Sequence, residues 1–203
     1  MISICPNDLS ALENYKLLIG SVIPRPIAFV TSISENDVVN GAPFSFFNIA
    51  SSNPPLLTLA VQRADGKMKD TARNIISHKE FVIHVTDEEN VAKINETSAP
   101  LPPDQSEIDL SGLTLTPSMQ IQVPGIEEAK IRFECKLEKH LELGGTDGEP
   151  AVDFIIGRVV QYHFEDAVYK DGKIMERELA AVSRLAGTKY GKIGEIFSME
   201  RPK

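Results

Sequence analysis

Between Ala129 and Leu141 the side chains alternate, with Ile131, Phe133, Cys135 and Leu137 on one side and Arg132, Glu134, Lys136 and Glu138 on the other. A period of two is the period of a strand, because successive Cβ atoms point to opposite faces of a sheet. The segment therefore reads as a long strand with one side in a core and the other in water. A strand needs partners, and the sequence offers several. Val152–Tyr162 is rich in Ile and Val. Phe81, Ile83 and Val85 alternate with Val82 and His84. Ile27–Ile33 is an apolar stretch carrying Thr31 and Ser32 near its end, and Leu56–Val61 has the length and composition of a strand buried on both faces.

Helical spacing is rarer. Ala72, Ile75 and Ile76 predict a helix over Asp70–Ser77, capped by Asp70 or Thr71. Val91 and Ile94 predict another over Asp87–Glu96, capped by Thr86 or Asp87, and short pieces are expected near Ser10–Leu18 and Leu179–Leu185. Asn53-Pro54-Pro55 and the glycines of 144–148 mark turns, whereas Ser98 to about Gly112 reads as a longer excursion of the kind that is often functional. Many antiparallel strands with few helices point to a mostly β fold, a closed Greek-key barrel with helical decoration. With 203 residues, 42 % of them hydrophobic, and no repeat or linker, residues 1–203 read as one domain.

Charge and cysteine usage remove several classes of function. The net charge of −8 and pI near 5.1 give no electrostatic reason to expect nucleic acid. No apolar run approaches the ~20 residues of a membrane span, and Met1–Ser10 has neither the basic nor the apolar part of an export signal. A cytoplasmic protein with reduced thiols at Cys5 and Cys135 is expected. Neither cysteine belongs to a CxxC, and His78, His84, His140 and His163 lack metal-ligand spacing, so no metal site is expected. There is no GxGxxG or P-loop pattern either.

Three segments gather groups that could hold a ligand. Residues 24–55 crowd hydroxyls, amides and aromatics between two apolar strands, with Asn40-Gly41-Ala42-Pro43-Phe44-Ser45-Phe46-Phe47-Asn48 followed by Ser51-Ser52-Asn53-Pro54-Pro55. A phosphorylated planar ligand needs donors for its phosphate and apolar walls for its ring. Lys69-Asp70-Thr71-Ala72-Arg73-Asn74-Ile75 places a cation before a helix start, where unpaired N–H groups and the dipole favour an anion. Arg184 in Ser183-Arg184-Leu185-Ala186-Gly187 could grip a cofactor or substrate anion through its fork of donors. Taken singly, each has a plain structural account: turns and core phenylalanines, an ordinary capped helix, a surface arginine beside a glycine turn.

Taken in order, these segments, together with Arg25-Pro26-Ile27-Ala28-Phe29-Val30-Thr31-Ser32, Gly112-Leu113-Thr114 and Phe133-Glu134-Cys135, resemble the flavin reductase-like family with the FMN-binding split barrel, which includes flavoredoxin. The resemblance covers about Leu18–Tyr190. It implies a six-stranded Greek-key split β-barrel with a few short flanking helices, working as a homodimer with one FMN per subunit near the dimer interface. Carried over by position, it sets Thr31 and Ser32 beside the cofactor and Ala42, Pro43, Phe44 and Ser45 along the isoalloxazine. Asn48, Ser51 and Ser52 would serve ribityl or phosphate oxygens, and Lys69, Asp70 and Thr71 the phosphate end. The implied activity is NAD(P)H:flavin oxidoreduction, with NADH or NADPH as donor; an FMN electron carrier fed by a redox partner protein is the other reading. No catalytic acid is named. The chain departs from the family pattern at His84, where Asn is usual, and at Ala186, where a second Gly is usual.

Overall fold

The computed structural model describes residues 1–99, 101–102, 105–146 and 148–202. Seven antiparallel strands form its main sheet: β1 (Ala28–Ile33), β2 (Val39–Phe44), β3 (Phe47–Ser52), β4 (Pro55–Gln62), β5 (Glu80–Val85), β6 (Ile131–Leu143) and β7 (Val152–Phe164). Their spatial order is β2-β1-β5-β6-β7-β4-β3. β2 and β3 stand at opposite ends of that order, yet only Ser45 and Phe46 separate them in the chain. The two ends therefore have to meet through this bend, into which Ala60 N–H, donating to Phe46 O at 2.9 Å, extends the β3–β4 ladder. The sheet closes into a barrel, and with Val39–Ser52 counted as one bent strand shared by both ends, the barrel is six-stranded.

Inside lie Ala28, Val30, Phe44, Leu57, Leu59, Val61, Phe81, Ile83, Cys135, Ile155 and Val159. Helix α2 (Asp70–His78) adds Ala72 and Ile75 to this interior. Cys135 is a core residue, its thiol pushed up by burial. The remaining helices are α1 (Ala11–Ser21), α3 (Val91–Glu96), α4 (Glu107–Ser111) and α5 (Glu176–Leu179). Ser10 and Glu13 close a capping box at the start of α1.

The strand buried on both faces is not 56–61. In β4 only Leu57, Leu59 and Val61 are buried, because one side faces the barrel interior and the other is only partly covered. The doubly buried strands are β1 and β5, since α3, α4 and the segment of residues 113–126 fold over their outer face, where Phe29 and Val82 enter two further apolar clusters. Polar side chains pin that outer layer. His84, fully buried, donates from Nδ1 to Phe29 O at 3.0 Å, and its Nε2 accepts from Ile126 N–H at 3.0 Å. Burial pushes the imidazole down to about 3, so it is neutral, which the acceptor role of Nε2 requires. Glu134, expected in water by its alternation, is also fully buried. Its carboxylate accepts from Met119 N–H and Gln120 N–H, each at 2.7 Å, and from His163 Nε2. Burial opposes that charge, but these donors outweigh it and hold the carboxyl below the ordinary range.

Three helix boundaries differ from expectation. α2 is preceded by Lys69 at the N-cap, with no side-chain cap, and Asp70 is the first helical residue, paired with Arg73. Asp87 accepts from the N–H groups of Glu89 and Asn90 in a turn, which delays α3 to Val91. Leu179–Leu185 is not a helix. α5 ends at Leu179, Ala180 takes a left-handed conformation, and Ser183–Arg184 pairs as a short strand with Arg25–Pro26.

Candidate functional site

The bend that closes the barrel also shapes its main cavity. A space of about 550 Å³ opens between Ala42-Pro43-Phe44 at the end of β2, Lys69-Asp70-Thr71 at the start of α2, and the excursion after α3, which contributes Thr97, Ser98, Ala99, Leu101 and Glu107. Spaces of about 390 Å³ and 340 Å³ adjoin it, and all three share Pro43, Phe44 and Lys69. The volumes suit small-molecule or cofactor sites, which run at roughly 300–1,000 Å³. Among the described residues there is no group of three or more His, Cys, Asp or Glu side chains that could hold a metal ion.

Ala42, Pro43, Phe44, Lys69, Asp70 and Thr71 meet in the largest of these spaces, and Ser45 lines the two beside it. Lys69 Nζ stands 6.0 Å from the Phe44 ring centroid, which brings a cation and an apolar wall together at one point. Because no side chain caps α2, its first-turn N–H groups are open to an external acceptor, and the helix dipole adds to the Lys69 charge. The Asp70 carboxylate is tied back to Arg73, which moderates its repulsion of an anion there.

Thr31 and Ser32 do not line the cavity. Both are buried in β1, where Thr31 Oγ1 donates to Pro124 O at 2.6 Å and Ser32 Oγ accepts from Asn74 Nδ2 at 3.2 Å. Asn48, Ser51 and Ser52 lie on β3, outside the three spaces. The Asn48 side chain accepts from Ile49 N–H and Ser51 Oγ from Asn53 N–H.

Asn40, at the start of the 40–48 segment, and Glu107 are site residues to which the sequence assigns no role. Asn40 Oδ1 accepts from Thr71 Oγ1 at 2.9 Å, and its Nδ2 donates to both oxygens of Glu107, at 3.1 and 2.9 Å. Gly41 N–H adds a weaker bond to the same carboxylate at 3.3 Å. Burial is the main influence on Glu107 and pushes its carboxyl up, against the donors and with some help from the charge of Asp70. Arg25 is the third. It is 6 % exposed, and its guanidinium reaches Ile19 O, Val22 O and Leu185 O from the floor of the 390 Å³ space.

Comparison with known proteins agrees with this architecture. The chain is 54 % identical over 198 residues to an uncharacterised protein of Halalkalibacterium halodurans, covering 97 % of this chain and 95 % of that one. Its fold superposes on nitrilotriacetate monooxygenase component B from Bacillus cereus with a TM-score of 0.97 at 53 % identity, covering 98 % of each chain. It superposes on the 2-nitrobenzoate 2-nitroreductase NbaA of Pseudomonas fluorescens with a TM-score of 0.86 at 32 % identity, covering 99 % of this chain and 96 % of that one. Residues 19–178 match the family model described as the flavin reductase like domain, and the chain belongs to the flavin reductase-like family.

Proposed function

We propose that this protein binds FMN in the cavity between β2 and α2 and works as an NAD(P)H-dependent flavin reductase. The observation that carries this reading is one space of about 550 Å³ with an apolar wall at Pro43-Phe44 and an anion-attracting end at Lys69 and the uncapped start of α2. Those are the two surfaces that a planar ring ending in a phosphate requires. When bound, the flavin supplies a two-electron centre that accepts hydride from a reduced nicotinamide and passes electrons on.

The protein's part is to bind, orient and exclude water. Lys69 and the N–H groups of the first turn of α2 meet the phosphate by charge-assisted hydrogen bonds. Pro43 and Phe44 flank the ring, with Ala42 leaving room for close approach of the backbone. Asn40 and Glu107 hold β2, α2 and α4 together, so that the two ends of the cavity keep a fixed spacing.

The reading includes a homodimer. Leu12, Leu18 and Val22, in and just after α1, are 60–62 % exposed, and Ile49 on β3 is 74 % exposed, apolar surface of the kind that marks subunit contacts. Sedimentation as a dimer checks this, and a flavin-loaded monomer would refute it.

The first test of function is the visible spectrum of the purified protein, repeated without oxygen after adding NADH or NADPH. Rapid bleaching of a flavin band is expected, and the nucleotide that bleaches it faster is the donor. A flavin that stays oxidised with both would overturn the reductase and leave a carrier reduced by a partner protein. A colourless protein that ignores added FMN would remove the cofactor itself.

A further inference from the structure

Arg25, Lys69 and Arg184 all line the 390 Å³ space beside the FMN cavity, and no Asp or Glu does. Among the described residues none of the three has a carboxylate within 4.0 Å. Arg25 is buried and Arg184 half-buried, while Lys69 is exposed; a buried charge is normally paired, because an isolated ion loses several kcal/mol of hydration. Part of the imbalance has a local answer, since Arg25 bonds Ile19 O and Val22 O at the carboxyl end of α1. A helix end carries only about half a negative charge, against three full positive ones. With Lys69 assigned to the FMN phosphate, Arg25 and Arg184 remain, and one added negative charge would nearly balance the space.

The rest of the lining tells what kind of anion fits. Ile19, Ile27, Phe44 and Leu185 give apolar walls, and Tyr15 and Tyr190 stand at the sides. Arg184 is held in place: its guanidinium lies 4.6 Å from the Tyr190 ring centroid, donates to Tyr190 Oη and to Gly187 O, and Tyr190 Oη in turn donates to Asn95 Oδ1 at 2.7 Å. Two of its five N–H groups are thereby used and three are left, enough for a bidentate grip on a carboxylate. Ser45, 3.5 Å from Arg25 Nε, adds a hydroxyl at the wall shared with the neighbouring space.

We propose that this pocket is a second-substrate subsite that takes an aromatic monocarboxylate, gripped by Arg184 with Arg25 behind it, next to the FMN cavity. The proposal rests on the FMN reading only for what the subsite adjoins; the charge and shape of the pocket stand on their own.

The test is a calorimetric titration of the FMN-loaded full-length protein with benzoate and with benzamide, its neutral counterpart of equal shape. Benzoate is expected to bind roughly tenfold or more tighter, the scale of one charge-assisted hydrogen bond. Equal binding of the two, or of neither, overturns the proposal without any variant. In Arg184→Gln, benzoate affinity should fall by a similar factor while FMN affinity, followed by flavin fluorescence, changes less than about twofold. If FMN affinity falls as far as benzoate affinity, the cations hold the cofactor phosphate and the subsite is refuted. If NAD⁺ binding depends on Arg184 while benzoate binding does not, the pocket serves a dinucleotide pyrophosphate, and the carboxylate assignment fails. Benzoate binding by a protein that takes up no FMN would keep the subsite and remove only the flavin reading.

Discussion

Thr71 gives its hydroxyl proton to Asn40 Oδ1 across 2.9 Å, joining the first turn of α2 to β2 at the edge of the main cavity. That proton is not available to a phosphate, so the Lys69 ammonium and the backbone N–H groups of α2 carry the anion contact. Lys69→Gln should weaken FMN binding by roughly tenfold to a hundredfold, the loss of one charge-assisted bond. Thr71→Val should cost about 1–2 kcal/mol of stability in a urea titration, because it strands a buried acceptor, with a smaller effect on FMN. A Thr71→Val protein of native stability that loses FMN as severely as Lys69→Gln would put the hydroxyl on the phosphate instead.

Glu107 gives the cavity wall a pH response. Its carboxyl is raised by burial, so the folded state holds that proton to higher pH than the unfolded state does. Stability from this group is therefore greatest when it is protonated, and is lost as pH rises from the ordinary carboxylate range through the raised folded value. Glu107→Gln should flatten that part of the profile, measured as the urea midpoint against pH. A variant whose slope matches the parent's there would mean that Glu107 titrates normally.

His84 acts with the opposite sign. Folded, it stays neutral down to about 3, while the unfolded chain protonates it near the usual value of about 6.5. The stability it supports is complete above that usual value and drains away as pH falls toward 3. His84→Asn should reduce the acid-side slope of stability by up to one proton, about 1.4 kcal/mol per pH unit. It should also loosen the outer layer, read as faster amide exchange at Ile126. An unchanged slope would show that His84 is charged in the folded protein.

The two cysteines should react as two populations, since Cys5 is exposed and Cys135 buried. A thiol reagent should label one site at once and the second only on unfolding. Cys135→Ala should lower stability by about 1 kcal/mol, the cost of a small vacated volume, with flavin reduction intact. Loss of turnover with flavin still bound would make Cys135 a redox group.

The barrel was legible wherever one residue decides its own environment. Ile131, Phe133 and Cys135 alternate because β6 faces a core, and that pattern survives in any partner arrangement. Glu134 was not legible, because its burial depends on two backbone N–H groups, from Met119 and Gln120, in a segment that only the tertiary fold lays across it. The same holds at the site. Pro43, Phe44 and Lys69 stood out by local composition, whereas Asn40 and Glu107 are joined by a hydrogen bond between residues 67 apart in sequence. Arg25 stands just before the expected strand in a segment shared with the family, and nothing local shows that its charge lies among carbonyls from α1 and from Leu185.

The two-residue bend at Ser45-Phe46 has a thermodynamic consequence. Pro43 and Phe44, which wall the main cavity, are also the last residues before the chain crosses from one end of the sheet to the other. No partly folded form with that ring open can present the cavity, so occupancy and global folding are a single linked equilibrium. A ligand of this space should raise the free energy of complete unfolding by about 1.4 kcal/mol for every tenfold excess over its Kd. It should do so for amides on the far side of the barrel as much as for those beside it, which makes the denaturation midpoint a readout of any ligand this cavity accepts.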